Sequence, residues 1–229
     1  ENVNSISELD VTIKNSDLYE SHKEALILEK KEKLQQSINP KDLYQLTLEL
    51  AKEYYTYQSD SARFYVKQAF NLAQDIQDDI KLDESKILQA QIAAKSGSFS
   101  VAEDLLNSIN LSDLNKELQL NYLRASSELL IYLLEYMQSE DTSQIRTKHI
   151  RIRDSLISIL PVNSPEYAIA IGAKYIEESN FDQANYILKR NFKNVKNGTR
   201  EFSMYTAILA YMYERMGNVE KQKYFLTLS

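Results

Sequence analysis

Small and aromatic residues recur along this chain at fixed offsets, and that recurrence restricts the fold more than any other feature. Gly172, Tyr175, Phe181, Ala184 and Leu188 stand at 0, +3, +9, +12 and +16. Ala90, Ala93, Phe99, Ala102 and Leu106 repeat those offsets with Gly97 at the turn, and Ala210, Tyr213, Val219, Gln222 and Leu226 do so with Gly217. Ala51, Tyr54, Ala62, Val66 and Ala69 fit once the turn is shortened by one residue. The positions Ala62, Ala102, Ala184 and Gln222 lie 40, 82 and 38 residues apart, a period of about 40 with one further unit, residues 113–160, in between. A period of this size belongs to stacked units, each burying a face that it cannot bury alone. The spacing has a mechanical reason: small residues let two antiparallel helices approach where they cross, and the aromatic fills the gap to the next hairpin.

The rest of the chain agrees with helical hairpins. Only 3 Pro and 4 Gly occur in 229 residues, too few for the many turns of a sandwich or an α/β fold, while 43% hydrophobic content supplies a core. Asn39-Pro40 and Ser164-Pro165 each place an N-capping side chain before a proline at the first helical position. Ser100 with Glu103 reads as a capping box that starts a helix, and Gly97 and Gly217 read as helix stops. Helices are expected over 6–36 (broken near 15–17), 41–57, 60–77, 83–96, 100–109, 113–138, 143–160, 165–179, 182–193, 201–216 and 218–228. The apolar run Leu129–Leu134 continues a helical pattern with Leu120, Leu123 and Tyr136 and is read as buried helix. The expected fold is all-α: a right-handed superhelical solenoid of about five units, approximately 40–77, 82–110, 113–160, 164–193 and 200–229, within 37–229, with residues 1–36 as a helical segment packing on the first unit.

Charge and cysteine content remove several functions. A net charge of −6 offers no general field for a nucleic-acid backbone or an anionic membrane surface, so no direct nucleic-acid binding is expected. With no cysteine there are no disulfides, thiolate zinc sites or cysteine nucleophiles. No stretch approaches the roughly 18 apolar residues of a membrane span, so any membrane link would run through segments outside this chain. Glu1 is read as a processed end behind a removed signal peptide. The last unit closes on Tyr224, Phe225, Leu226 and Leu228 without a polar capping helix, which is read as continuation into a longer protein.

Candidate chemistry is sparse. His22 and His149 are far apart on charged helical segments, lack a partner at helical spacing, and are expected in solvent. Asp78-Asp79 and Asp83-Glu84 are read as charge complementing helix starts. Arg146, Lys148, His149, Arg151 and Arg153 alternate with isoleucines and spread over more than one helical face, the pattern of a solvated surface around an apolar stripe. Lys30, Lys31 and Lys33 are read as cations at the negative end of a helix. No Gly-rich phosphate loop, nucleophile elbow or zinc signature occurs, so no catalytic residue, metal or cofactor is expected. The 16 tyrosines are read mostly as packing between hairpins.

The recurring offsets resemble the tetratricopeptide signature. In such proteins the first helices of successive units line a concave groove that receives peptides or partner helices. Mapped by position, the resemblance places Gln45, Lys52, Tyr55, Glu84, Ile87, Gln91, Lys95, Ile169, Ala173, Ile176, Tyr211 and Arg215 on that face. The Lys/Asn/Arg clamp by which some relatives hold a terminal carboxylate is not reproduced there. A second resemblance rests on Leu9-Asp10, Ile13, Tyr19, Lys23-Glu24 and Ile27, followed by Tyr54-Tyr55, Tyr57, Asp60-Ser61-Ala62 and Tyr65. These look like the N-terminal part of membrane-bound transcriptional regulators of Bacteroidetes, in which a periplasmic tetratricopeptide region precedes a membrane helix and a cytoplasmic DNA-binding segment. That implies a periplasmic, non-catalytic module that senses a protein, a peptide or a small ligand, with self-association left open. The alternative is a free-standing, cytoplasmic scaffold for protein partners. Asp60-Ser61-Ala62 and Asp154-Ser155-Leu156 also resemble sites that such bacteria glycosylate, although Asp60 and Ser61 serve a helix start equally well.

Overall fold

The structure is a computed structural model that describes residues 16–137 and 141–228. Among these residues every regular element is a helix. They are α1 (Ser16–Gln36), α2 (Pro40–Tyr55), α3 (Ser59–Asp75), α4 (Asp79–Lys95), α5 (Phe99–Asn107), a short 3-10 turn (Leu111–Asp113), α6 (Lys116–Tyr136), α7 (Ser143–Ile159), α8 (Pro165–Glu177), α9 (Phe181–Phe192), α10 (Arg200–Arg215) and α11 (Val219–Leu228). The expected all-α succession of hairpins is the one that forms. The part of the first expected helix before Ser16 lies outside the described residues, as do Leu9, Asp10 and Ile13. Residues 20–155 make one compact unit and residues 156–228 belong to another.

Four helix-to-helix turns close by the same hydrogen-bond pattern. After α4, Gly97 takes a left-handed φ of +76°, its N–H bonds the carbonyl of Ala94, and Ser98 N–H reaches back to Ala93 at 2.9 Å. Gly217 (φ +71°) does the same after α10, where Asn218 N–H bonds the carbonyl of Tyr213 at 2.8 Å. This is the six-to-one closure that satisfies the last carbonyls of a helix. Gln77 (φ +54°) and Ser179 (φ +59°) hold the same position after α3 and α8, with Asp78 and Asn180 donating back to Ala73 and Tyr175. The returning residue then starts the next helix: Asp78, Asn180 and Asn218 accept from the N–H groups of Lys81, Gln183 and Lys221. The turn between α2 and α3 has no left-handed residue and closes by Gln58 N–H to Tyr54 at 2.8 Å, which is the shortened turn that the repeat offsets require.

Two starts differ from expectation. The Ser100–Glu103 capping box does not form, because the hairpin closure makes Ser98 the N-cap and α5 begins at Phe99. Asp78 draws the start of α4 back to Asp79, so Asp83 and Glu84 stand in its second turn rather than at its start. Asn39 and Ser164 cap α2 and α8 as expected, accepting from Lys41 and Tyr167 at 2.9 and 3.1 Å.

In the first unit, Tyr44, Leu48, Ala51 and Tyr54 of α2 pack on Ala62, Val66, Ala69 and Ala73 of α3, with Ile27 of α1 joining them. Tyr54 stacks on Tyr65, ring centres 5.5 Å apart. Helix α4 contributes Leu88 and Ile92 to this cluster, and Ile87, Ala90 and Ala94 to a second one with Ala102, Leu106, Leu118, Ala125 and Leu129. A helix buried on two sides must be apolar on both, which is why α4 has no single apolar stripe. In the other unit, α8–α11 enclose Ala168, Ile176, Ala184, Leu188, Tyr205, Leu209, Met212, Tyr213 and Phe225. Here the repeat offsets overshoot at the end: Val219 and Leu226 are each 56% exposed, and Phe225 is the buried residue, stacked on Tyr213 at 5.6 Å. Phe192 approaches both Tyr205 and Phe225, and the flat Phe225 ring fills the space that an aliphatic residue would leave open.

The crossing of α8 and α9 shows why the signature demands a small residue. A methyl group on buried Gly172 would lie 2.7 and 2.8 Å from Cδ2 and Cγ of Leu188, which is itself fully buried. Gly172→Ala therefore overpacks by roughly 1–3 kcal/mol against a gain of about 1 kcal/mol in helix propensity, and lowers stability. In a Leu188→Ala background the same change should raise stability by about 1 kcal/mol, a sign inversion readable by urea denaturation. At the turn after α8, Ser179→Gly is expected to add about 0.5–1 kcal/mol by relieving the left-handed backbone, measured in the same way.

Candidate functional site

Helices α2, α4 and α6 are the first members of successive hairpins and lie side by side, α4 touching both neighbours. Polar side chains meet along the face they share. Lys52 of α2 donates to Glu84 Oε1 of α4 at 3.0 Å. Glu84 Oε2 lies 3.0 Å from the hydroxyl of Tyr44, whose oxygen is also 2.9 Å from the carbonyl of Lys81, so one phenol proton serves two acceptors in the first two turns of α4. Burial pushes the Tyr44 phenol far above its ordinary range, since a phenolate there would be desolvated beside a carboxylate.

Further along the same face, a second group forms. The hydroxyl of Tyr55 (α2) and Nε2 of Gln91 (α4) both donate to Oε2 of Glu128 (α6), at 3.1 and 3.0 Å. Lys95 donates to the backbone carbonyl of Tyr55 at 2.8 Å, and its ammonium sits 4.9 Å from the centre of the Tyr55 ring. At the other end Gln45 donates to Glu49 at 3.1 Å. Lys30 of α1 hydrogen-bonds Glu49 at 2.6 Å and holds that carboxyl below the usual range.

Lys52, Tyr55, Glu84, Gln91 and Lys95 thus converge, with Gln45 at the margin. Glu128 is the member that the repeat offsets could not supply, because no small-residue register exists in residues 113–160. Ile87 is a correction: at 2% exposure it belongs to the core with Leu118, Ala125 and Leu129, since α6 packs over it. Ile176 is another, fully buried among Leu188, Tyr205 and Leu209. Ile169 and Ala173 are half-buried on α8, while Tyr211 and Arg215 pair with each other on α10, Nη1 donating to the hydroxyl at 3.1 Å. These last five belong to the unit of residues 156–228.

Other sequence candidates find partners of their own. His22 is exposed, but His149 is half-buried with Nε2 3.3 Å from Ser127 Oγ, because α7 lays it against α6. Within the basic stretch Lys148 faces Glu103 at 3.7 Å, and Arg153 is buried, 6% exposed, rather than solvated. Lys30, Lys31 and Lys33 do more than complement a helix end. Lys30 pairs with Glu49, Lys31 lies 5.5 Å from the Tyr54 ring centre, and Lys33 pairs with Glu29. Together with the Lys23–Glu53 pair, the first two pin α1 to α2. Ser61 Oγ donates to Gln58 in the first turn of α3. A groove of about 850 Å³ runs between α1 and the end of α2, lined by Glu24, Leu28, Lys31, Tyr54 and Tyr57. In it the Tyr57 hydroxyl lies 3.0 and 3.1 Å from Glu20 and Glu24, and the hydrogen bond to Glu20 is the main cause that raises its pKa to about 12. Among the described residues no three His, Asp or Glu side chains are grouped to hold a metal, and no helix is long and apolar enough to cross a membrane.

The sequence matches the family described as the SusR N-terminal TPR domain over residues 13–229. The chain belongs to that family. No curated protein matches it. As a TPR module of the SusR type, it has a fold that in general serves as a non-catalytic scaffold for protein–protein interaction. The matched span includes α2, α4 and α6 entire, so the polar face is a feature of the TPR region itself.

Two buried phenols give this TPR module an alkaline limit. Burial raises Tyr205 to about 12 and Tyr44 further, whereas unfolded tyrosines ionise near pH 10. Above about pH 10 the unfolded chain releases protons that the folded chain keeps, so stability is intact below that pH and declines as pH rises. Urea midpoints between about pH 9 and pH 11.5 should show the decline, and Tyr44→Phe or Tyr205→Phe should flatten it.

Proposed function

We propose that this chain is the sensing module of a membrane-bound regulator, held in the periplasm, and that it works by binding rather than by turnover. Membership of the SusR N-terminal TPR family carries the reading. The binding surface is the face shared by α2, α4 and α6, where Lys52, Glu84, Tyr55, Gln91, Lys95 and Glu128 meet. These groups already satisfy one another. A partner must therefore replace bonds worth about 0.5–1.5 kcal/mol each with equally good ones, which selects a partner with matching polar groups over a plain apolar segment. A protein or peptide backbone, or a small polar ligand, meets that requirement.

The absence of cysteine makes the test direct. In the natural full-length protein, with any cysteine outside this region replaced by serine, Lys52→Cys on the shared face and Phe64→Cys on α3 would each provide a single thiol, both side chains being exposed. A maleimide that cannot cross the inner membrane should label both in intact cells. Under conditions that switch the regulator's output, labelling at position 52 should slow several-fold while position 64 stays unchanged. No labelling in intact cells sinks the periplasmic assignment, and equal rates at position 52 in both conditions sink the binding face.

A further inference from the structure

We propose that Glu128 is a clasp that holds α2 and α6 together across α4, and that opening this clasp is how occupancy of the shared face is passed to α6. The inference deepens the proposed binding role and rests on it, but its structural half can be tested without any partner. Tyr55 and Glu128 are 73 residues apart and belong to hairpins that are not successive. Helix α4 lies between, packed on α2 on one side and on α6 on the other. Side chains of α2 and α6 can touch over α4 only if the three helices curve inward on this face. One oxygen, Oε2 of Glu128, then ties all three, because it accepts from Tyr55 of α2 and Gln91 of α4.

The second tie on this face is different in reach. Lys52–Glu84 joins only α2 to α4, and Lys95 likewise bonds the end of α2 from α4. Breaking either of these leaves the register of α6 untouched. A molecule entering between Tyr55 and Gln91 competes for their donated protons and for the carboxylate at the same time. Binding there takes the Glu128 carboxylate away from the Tyr55 hydroxyl and so loosens the tie between α2 and α6. Ser127 of α6 also meets His149 of α7, so a shift of α6 bears on the second helix of its own hairpin. The clasp therefore couples a local exchange of hydrogen bonds to the angle between hairpins, a bistable element of the kind that a ligand can bias.

The 229-residue chain with Thr56→Cys and Ile131→Cys, both exposed and next to the two ends of the clasp, accepts a pair of nitroxide spin labels without background thiols. The distance distribution between them is read by pulsed electron resonance. Tyr55→Phe removes the donating hydroxyl and keeps the ring under Lys95. It should lengthen and broaden the distribution, and Glu128→Ala should give the same change, with helical circular dichroism unaltered in both. Lys52→Ala, which breaks the other tie, should leave the distribution as it is. Distributions that stay narrow and unshifted in both Tyr55→Phe and Glu128→Ala overturn the clasp while leaving the binding face to be judged by its labelling rates. A shift with Lys52→Ala equal to that with Tyr55→Phe also overturns it, since curvature would then depend on any polar contact of the face.

Discussion

Two antiparallel helices can pack closely only where at least one of them carries a small residue at the crossing, and the hairpins of this structure depend on meeting that condition. Gly172 against Leu188 is the limiting case, with no room for a methyl group. Ala51 with Ala62, and Ala90 with Ala102, meet the same condition with one carbon more, and all four are essentially fully buried. Once the crossing is close, the turn must be short, and in four of the turns the chain reverses through a left-handed residue with its two back-donated hydrogen bonds. The residue that completes the reversal is then in place to cap the next helix, as Asp78, Asn180 and Asn218 do. Crossing, turn and cap are one device.

That coupling explains what the sequence makes legible. The offsets from small residue to aromatic to small residue follow from the geometry of the crossing, so four hairpins and their turns can be read from residue spacing alone. Gly97 and Gly217 are legible as turns because glycine tolerates positive φ, whereas Gln77 and Ser179 occupy the same position and give no sign of it. The Ser100–Glu103 pair illustrates the reverse error. Its spacing suits a capping box, but the turn geometry has already assigned the cap to Ser98. Local preference loses to hairpin closure there by two residues.

The shared polar face was legible on α2 and α4, where the repeat register is firm, and illegible on α6, where it is not. Glu128 precedes the run Leu129–Leu134, and sequence alone gives a single carboxylate beside buried leucines no reason to face α2 rather than solvent. Ile87 and Ile176 mark the opposite failure. A register taken from a repeat family assigns positions to a face, but the burial of each position depends on how the neighbouring helix covers it, and only the packed structure contains that neighbour.

A face that bonds to itself also carries an energetic consequence for recognition. Exposed polar groups in water are already satisfied, so direct pairs such as Lys52–Glu84 contribute little to folding and are cheap to exchange. Tyr44 is the exception, because its hydroxyl is buried and must keep an acceptor whatever happens outside. Losing Glu84 to a partner still leaves the phenol its bond to the Lys81 carbonyl. Helix α4 can therefore exchange its outer contacts without unsettling its core. The Tyr55–Glu128 contact differs in kind, because the phenol of α2 donates to a carboxylate of α6 in another hairpin. Exchange at Glu84 is absorbed within one helix pair, whereas exchange at Glu128 must be answered by a shift between hairpins.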